Sequence, residues 1–234
     1  MQADHADRNA ILRYITRADR DLLRPSLEAI DLPVRFRLAC ASKRIDAVYF
    51  LEAGIASITT SVLHEVPIEI GIVGREGVVN MPALMGVDLS PSETFMQVHG
   101  TGFRINVEKL REAMAQSPTL MPILLRFVHV YMVQTASTVL ANGRARIPER
   151  LARWLLMAFD RVNGDGVALT HEFLATMLGV RRPGVTIAIR EFERCGLIEG
   201  ARGVITILDR IGLEAEANGY YGIAEAEYER LFPA

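Results

Sequence analysis

The chain has 234 residues, half of them hydrophobic, and a formal net charge of −2. Because domains usually contain about 100–200 residues, this length favours one large or two small domains with packed cores. The balanced charge argues against a protein that binds polyanions over its whole surface. No uninterrupted apolar run approaches the roughly 18–20 residues of a membrane span, so no membrane partner is predicted.

The N-terminal residues and the two cysteines bear on the cellular compartment and on cofactors. The N-terminal end is polar and partly acidic, unlike a secretory signal, in which a basic stretch precedes an apolar one. Cys40 and Cys195 lie far apart and form no pair pattern, which favours a reducing, cytoplasmic location. Neither cysteine lies in a metal or cluster motif, and no metal or cofactor is predicted.

The N-terminal half changes from a helical to a β pattern. Residues 7–30 carry apolar side chains at helical intervals and are predicted to be helical, with a break at Pro25 and Ser26. From about Val34 to Val107, short alternating runs are separated by glycine-containing turns, which is typical of an antiparallel β sandwich or roll. The long connector GREGVVNMPALMGVDLSPSE interrupts these runs, and such connectors inside a β domain are often functional.

A long apolar helix is predicted next, from about Leu120 to Asn142, after a short helix that ends before Pro118. At 1.5 Å per residue the long helix would span roughly 30 Å. Its apolar stripe must be covered. A second copy of the same helix would cover it in a parallel two-helix dimer, and burial within its own monomer is the alternative. The predicted dimer interface consists of Leu124, Phe127, Val128, Tyr131, Thr135 and Val139.

Asn142 and Gly143 are predicted to end this helix and to serve as a hinge. A further helix, IPERLARWLLMAFDRV, tolerates Pro148 in its first turn because the missing N–H has no helical partner there. A turn is predicted at residues 163–166, which contain two glycines.

The stretch from Thr170 to Ile198 has the pattern of a helix-turn-helix. Thr170 can cap a first helix, whose apolar residues recur at helical intervals until Gly179, a residue suited to a left-handed turn. A second helix is predicted to begin at Arg181, with Pro183 in its first turn. The inward stripe of the second helix is predicted to be Val185, Ile189 and Phe192.

The start of the second helix has the chemistry of a DNA contact. Between Arg144 and Arg202 there are ten arginines against seven Asp or Glu, so the positive charge is local. A recognition helix enters the major groove N-terminus first, and arginine can contact phosphate or form two hydrogen bonds with guanine. Two short β runs that turn at residues 200–203 make the motif a winged helix. The predicted DNA-binding residues are Thr170, Arg181, Arg182, Gly184, Thr186, Ile187, Arg190 and Arg202, with Gly184 letting the backbone approach a phosphate or base.

With these motifs the chain resembles the Crp/Fnr family of bacterial transcription regulators nearly end to end. LTHEFLATMLGVRRPGVTIAIREFERCGLI follows the family's helix-turn-helix pattern without a gap, and AVYFLEAG and GREGVV match its sensor domain. The resemblance implies an α+β fold in three parts. These are a cyclic-nucleotide-binding-like antiparallel β-roll (jelly-roll) sensor at residues 1–119, a dimerisation helix with hinge at 120–145, and a winged helix-turn-helix domain at 146–234.

The recognition helix departs from the family at the positions that read DNA. Arg182 occupies the position of the family's base-reading arginine, whereas Pro183 replaces a glutamate that usually reads a base and Ile187 stands where an arginine often reads another. The DNA target is therefore predicted to differ from the usual palindrome of the family. Arg182 is the predicted guanine contact, and Arg181, Thr186 and Arg190 are predicted to contact phosphates or further bases.

The sensor departs from the family too. By the resemblance, Glu76 fills the position of the ribose-binding glutamate, whereas Glu93 falls where cyclic-nucleotide binders have a phosphate-binding arginine. A carboxylate repels phosphate, so a cyclic nucleotide is not expected to be the effector. A pocket filled by the chain's own side chains is the alternative to an unknown ligand. The candidate pocket residues are Gly74, Glu76, Gly77, Glu93, Thr94 and His129.

The predicted function is a homodimeric, sequence-specific transcription regulator that binds double-stranded DNA and is not an enzyme, since no catalytic motif is present. It would be controlled by an unidentified signal or be constitutively active. RNA polymerase and an unknown small-molecule effector are further candidate partners. The alternative function is a small-molecule-binding sensor whose helix-turn-helix contacts proteins. The acidic tail from Glu214 to Glu229 is interpreted as a final helix packed on the winged domain.

Overall fold

The computed structural model describes residues 8–63, 65–162, 166–201 and 203–233. The chain divides into two compact units. The first unit takes the residues up to Ser57 together with Val73–His129, and the second takes Ile58–Ile72 together with the residues from Val130 onward. The segment Ile58–Ile72, which the sequence places in the β-rich half, therefore packs with the C-terminal half.

The N-terminal segment contains two short helices, α1 (Ala10–Tyr14) and α2 (Arg17–Leu23), instead of the single helix predicted. Thr16 separates them because it caps α2. Its hydroxyl oxygen accepts the N–H of Asp19, and the Asp19 carboxylate accepts the N–H of Thr16. The end of the predicted helix is a strand, Glu28–Leu32, whose backbone pairs with another strand along its whole length. Strand pairing overrides the helical periodicity there.

The predicted antiparallel β-roll is confirmed as two four-stranded sheets, with strand orders β1-β8-β3-β6 and β2-β7-β4-β5. In the first sheet β8 lies between β1 and β3 and is antiparallel to both. Strand β3 is buried throughout, and β4 at all but its last residue, so these two strands form much of the core. The strands are β1 (Glu28–Leu32), β2 (Arg37–Ala39), β3 (Ala47–Leu51), β4 (Ile55–Thr60), β5 (Ile68–Val73), β6 (Val78–Val79), β7 (Glu93–Val98) and β8 (Gly100–Asn106).

Two helices follow the strands, α3 (Val107–Gln116) and α4 (Leu120–Arg144). Helix α4 continues through Asn142 and Gly143, which were predicted to end it, so the break in the helix comes only after Arg144. Among the described residues, α4 is the one helix long and apolar enough to cross a membrane by length and composition alone; 39% of its most apolar window is buried within the protein. Core helices of other proteins meet the same criterion.

The C-terminal region is a winged helix-turn-helix, as predicted. A three-stranded sheet of order β10-β11-β9 accompanies the helices, and its third strand, β9, was not predicted. The acidic tail contains two helices rather than one, and residues 163–165 of the predicted turn lie outside the described residues. The elements are α5 (Ile147–Phe159), β9 (Val167–Ala168), α6 (His171–Leu178), α7 (Arg182–Arg194), β10 (Ile198–Ala201), β11 (Val204–Ile207), α8 (Arg210–Glu216) and α9 (Ile223–Leu231).

Candidate nucleic-acid interface

Helix α6 begins and ends at the residues that the sequence indicated. The Thr170 hydroxyl oxygen accepts the N–H of Phe173 at 3.1 Å and caps the helix. Gly179 ends it with φ +60°, the left-handed conformation that glycine adopts without strain. A Cβ at Gly179 would also lie 2.9 Å from Cδ1 of Ile68, so both the backbone angle and the neighbouring side chain require glycine at this turn.

Helix α7 follows after three residues and packs one face inward. The helix begins at Arg182, one residue later than predicted, and Arg181 is its N-cap. Pro183 lies in the first turn. The inward stripe is confirmed, because Val185, Ile189 and Phe192 are buried together with Ala188. An edge-to-face contact between Trp154 of α5 and Phe173 of α6, with ring centroids 6.4 Å apart, belongs to the same core.

The outward face of α7 presents most of the residues predicted to bind DNA. Arg181, Arg182 and Arg190 are exposed, and Ile187 is 69% exposed. The Arg182 guanidinium has one carboxylate neighbour, Glu172 of α6, at 3.8 Å between Nε and Oε2. Both side chains are well exposed, and such surface pairs contribute at most about 1 kcal/mol, so Arg182 can exchange this partner for another anion.

Thr186 has a partner that sequence reasoning missed. Its hydroxyl oxygen lies 3.0 Å from Nδ1 of His171, the first residue of α6. The bond joins the first turn of one helix to the outward side of the other, which orients the Thr186 hydroxyl. The only signal in the sequence was that His171 directly follows the capping threonine.

Gly184 lies where α7 packs closely against α5. A Cβ at Gly184 would lie 2.7 Å from Cδ1 of Ile147, so the missing side chain allows α7 to approach α5. The N–H of Gly184 donates to the carbonyl of Arg181 at 3.0 Å and is therefore already used. Packing against Ile147 is therefore a reason for glycine at position 184 that stands beside the predicted approach of this backbone to DNA. Arg202, the predicted contact at the tip of the β10–β11 hairpin, lies outside the described residues.

Two arginines of α5, the half-buried Arg150 and the buried Arg153, hold this domain together. Nη2 of Arg150 donates to the carbonyl of Leu178, the last residue of α6, where helix carbonyls lack partners. Arg153 donates through Nη2 to the Gln134 carbonyl at 3.3 Å and to the Thr138 hydroxyl at 3.2 Å, both on α4. Its Nε donates to the Tyr220 carbonyl of the tail at 3.0 Å. Burial lowers the pKa of Arg153 to about 10.

The segment Ile58–Ile72 is attached to the C-terminal half by polar contacts as well. The indole N–H of Trp154 donates to the buried carboxylate of Glu69 at 2.6 Å. The side-chain amide of Gln134 donates to the Ile72 carbonyl at 3.1 Å and accepts the Ile72 N–H at 2.8 Å, so it pairs with strand β5 as a neighbouring strand would. These contacts could not be found from sequence, because their partners are more than sixty residues apart.

The candidate effector residues lie in one turn and on two further elements. Both carboxylate oxygens of Glu76 accept the Gly74 N–H at 3.1 Å. A Cβ at Gly77 would overlap the ring of Phe127, so this phenylalanine fills the space over the turn. On β7, Glu93 is half-buried and Thr94 is buried, whereas His129 is exposed.

The stripe of α4 predicted to bind a second copy is mostly used inside the chain. Leu124, Phe127 and Val128 are buried in the first unit. In the second unit, Tyr131 and Thr135 are half-buried, and burial raises the pKa of the Tyr131 phenol, whose ring lies against Gly71. Only Val139, which is 67% exposed, is free to contact another chain. Because α4 is apolar on nearly every side, its periodicity alone does not show which side is buried within the chain.

Residues 149–216 match the family model of the Crp-like helix-turn-helix domain. The chain is also 37% identical over 86 residues to the HTH-type transcriptional regulator Cmr of Mycobacterium tuberculosis. That match covers 36% of this chain and 34% of Cmr, so the chain spans about a third of the length of this curated relative. The name of that relative describes it as a transcriptional regulator of the helix-turn-helix type.

Solved structures share the fold over most of the chain. A transcriptional regulator of the Crp/Fnr family from Eubacterium rectale has a TM-score of 0.66 at 16% identity and covers 89% of this chain and 98% of its own. FixK2 from Bradyrhizobium japonicum has a TM-score of 0.71 at 14% identity, with 81% and 96% covered. At these identities the similarity establishes the fold. Residues 149–216 thus contain a Crp-like helix-turn-helix domain, and the fold of the chain is shared by solved regulators of the Crp/Fnr family.

Proposed function

We propose that the chain is a homodimeric regulator that binds double-stranded DNA sequence-specifically through helix α7. The observation that carries the proposal is the outward face of α7, where Arg181, Arg182 and Arg190 are exposed around the start of a helix whose other face is buried. A helix start of this kind fits the major groove, and arginine suits both phosphate and guanine. A cytoplasmic location agrees with such a role, and RNA polymerase is a further candidate partner.

The exposed side of α4 supports pairing with a second copy, through a face that shares only Val139 with the interface first predicted. Apolar and small residues recur there at alternating intervals of three and four, the heptad spacing of a two-stranded coiled coil. A Cβ at Gly143 would meet nothing within 4 Å, so the helices could approach closely near their C-terminal ends. The residues of this heptad face, all exposed or half-buried, are Pro122, Leu125, His129, Met132, Ala136, Val139 and Gly143.

A dimer would present two copies of α7 to half-sites about 34 Å apart, one turn of DNA. The functional division that we propose is a sensor at residues 1–119, a dimer helix with hinge at 120–145 and a DNA-binding domain at 146–234.

The proposed signal is not a cyclic nucleotide. Glu93 puts a carboxylate at the position where phosphate would need a cation. The Phe127 ring over Gly77 supports a pocket that is closed, at least over this turn, by the chain's own side chain. Either a different effector displaces this side chain or the protein is active without one. Calorimetric titration with cyclic AMP and cyclic GMP is expected to show no binding.

The DNA-binding proposal is tested by selecting duplexes from a random pool and titrating the selected duplex with salt. We expect a palindrome whose affinity falls steeply with salt, because bound phosphates release counterions. Arg182→Ala is expected to weaken binding by about 5- to 150-fold, since a bidentate contact with guanine contributes about 1–3 kcal/mol. Arg230→Ala, an exposed arginine of α9, is the matched control and should bind normally. Failure to enrich any duplex would favour the sensor whose helix-turn-helix contacts proteins.

The dimer proposal is tested by sedimentation. Val139→Glu would place two carboxylates at the proposed seam and is expected to shift the protein to monomer. Ile211→Glu introduces the same charge at an 81% exposed isoleucine on α8 and should leave the dimer intact. A Val139→Glu protein that sediments like the wild type would contradict the proposed seam.

A further inference from the structure

Two apolar side chains lie on the outward face of α7, among the arginines. Pro183 is exposed in the first turn, and Ile187 is 69% exposed one turn later. Residues four apart lie on the same side of a helix, so these two side chains form one small apolar surface. They are separate from the inward stripe, in which Val185 and Ile189 are buried.

We propose that Pro183 and Ile187 read the 5-methyl groups of thymines in the major groove, an inference that rests on the proposed DNA-binding function. Neither side chain can donate or accept a hydrogen bond, so neither can read the donor and acceptor pattern of a base edge. Thymine is the one base whose major-groove edge presents a methyl group, and apolar side chains recognise it by contact.

The charge around this surface favours DNA over an apolar protein as its occupant. Arg181 and Arg182 precede Pro183, and Arg190 lies three residues after Ile187, all of them exposed. The negatively charged backbone of DNA matches this arrangement, and the apolar pair would then be enclosed by the groove when the arginines bind. A purely apolar partner would leave three guanidinium groups facing it.

The spacing limits where the thymines lie. Side chains four residues apart have Cβ atoms about 5–6 Å apart, and successive base pairs are separated by about 3.4 Å. The two side chains therefore reach methyl groups within about two base pairs of each other. Because Arg182 is adjacent to Pro183, each half-site is expected to combine a guanine with one or two thymines at this distance.

The test replaces the thymines of the selected half-site one at a time by deoxyuridine. This change removes only the 5-methyl group and keeps every hydrogen-bonding group of the base. Loss of one buried methyl corresponds to about a fourfold loss of affinity, so at least one position in each half-site should show a loss of about this size.

Variants of the protein assign the effect to the proposed residues. In Ile187→Ala the sensitivity to deoxyuridine should disappear at one position, while binding to the deoxyuridine duplex stays as in the wild type. Ile211→Ala truncates an exposed isoleucine of α8 and should keep the full sensitivity. Circular dichroism of each variant checks that α7 remains folded.

The outcomes separate the two proposals. Salt-sensitive binding that is unchanged by deoxyuridine at every thymine, or a selected half-site without thymine, would overturn this inference and leave the DNA-binding function intact. A sensitivity that persists in Ile187→Ala at all positions and in Pro183→Ala would overturn it as well. Absence of binding to any duplex would overturn the DNA-binding function and this inference together.

Discussion

Helices α7 and α4 differ in the chemistry of their exposed faces. Helix α7 has 13 residues, a buried apolar stripe and an outward face that carries mainly charge. Helix α4 has 25 residues, and its outward face carries apolar groups such as Met132 and Val139. A charged outward face is well solvated by water and can bind a polyanion when one is present. An apolar outward face is stabilised when a partner removes it from water. This difference supports the two proposals, that α7 binds DNA and that α4 pairs with a second copy of the chain.

The largest expected effect tests which face of α4 is the core. Phe127→Ala should lower the free energy of unfolding by about 3–5 kcal/mol, because the Phe127 side chain is buried against Gly77 within its own chain. Denaturant titrations at two protein concentrations measure this decrease in the free energy of unfolding, which should be the same at both concentrations. Val139→Ala is the matched change on the exposed face, and its cost should depend on concentration. A concentration-dependent loss for Phe127→Ala would return this residue to the dimer seam.

A smaller effect tests how Ile58–Ile72 is held in the C-terminal half. Trp154→Phe keeps the aromatic packing but removes the indole N–H that donates to Glu69. Removing one donor from a buried carboxylate should cost about 1–3 kcal/mol in thermal or denaturant unfolding. In the Glu69→Gln protein the amide oxygen can still accept from the indole, so the cost of that change should be lower. Equal stability of Trp154→Phe and the wild type would show that this hydrogen bond contributes nothing.

The turn between α6 and α7 gives the next effect. Gly179→Ala should destabilise the protein by about 1–2 kcal/mol, because φ +60° is unfavourable for alanine and the new Cβ would approach Ile68. Shortening the neighbour in Gly179→Ala/Ile68→Val should recover the steric part only. If the double variant regains full stability, the backbone angle is not the cause of the loss.

The smallest effect tests the packing role of Gly184. In Gly184→Ala, better helix propensity favours the folded state by about 1 kcal/mol, while the new Cβ must displace the flexible end of Ile147. We expect a net change below about 1 kcal/mol and an unchanged affinity for the selected duplex. A severalfold loss of DNA affinity in a stable Gly184→Ala protein would instead support the prediction that this backbone approaches DNA.

The helix-turn-helix could be predicted in detail because its information is local. Thr170 caps the residues that directly follow it, Gly179 has a backbone angle that few other residues adopt, and Pro183 is tolerated only near a helix start. These preferences depend only on residues that are neighbours in the chain, so they can be recognised in the sequence. The outcome for Gly184 shows the limit: a glycine indicates a close approach, but which neighbour approaches depends on another helix, here through Ile147.

The N-terminal half was predicted as a class of fold rather than in its details. Alternation and glycine turns predicted the β-roll, whereas Glu28–Leu32 was predicted as the end of a helix and is a strand. A segment of five residues is too short for its periodicity to indicate a helix reliably, and the backbone hydrogen bonds with β8 make it a strand. The long connector contains strand β6 and a 3-10 turn with buried Met81 and Leu84, so it is largely packed.

The amino-acid sequence by itself determined the winged helix-turn-helix, its inward stripe and its exposed arginines, because caps, glycine turns and helical periodicity act over a few residues. Only the tertiary structure decided which side of α4 is buried and that Phe127 closes over Gly77. It also decided that Arg153 donates to the Gln134 carbonyl and that Trp154 donates to Glu69 inside the second unit. Such contacts join residues distant in the chain, and their energies depend on burial and neighbours that no local pattern contains.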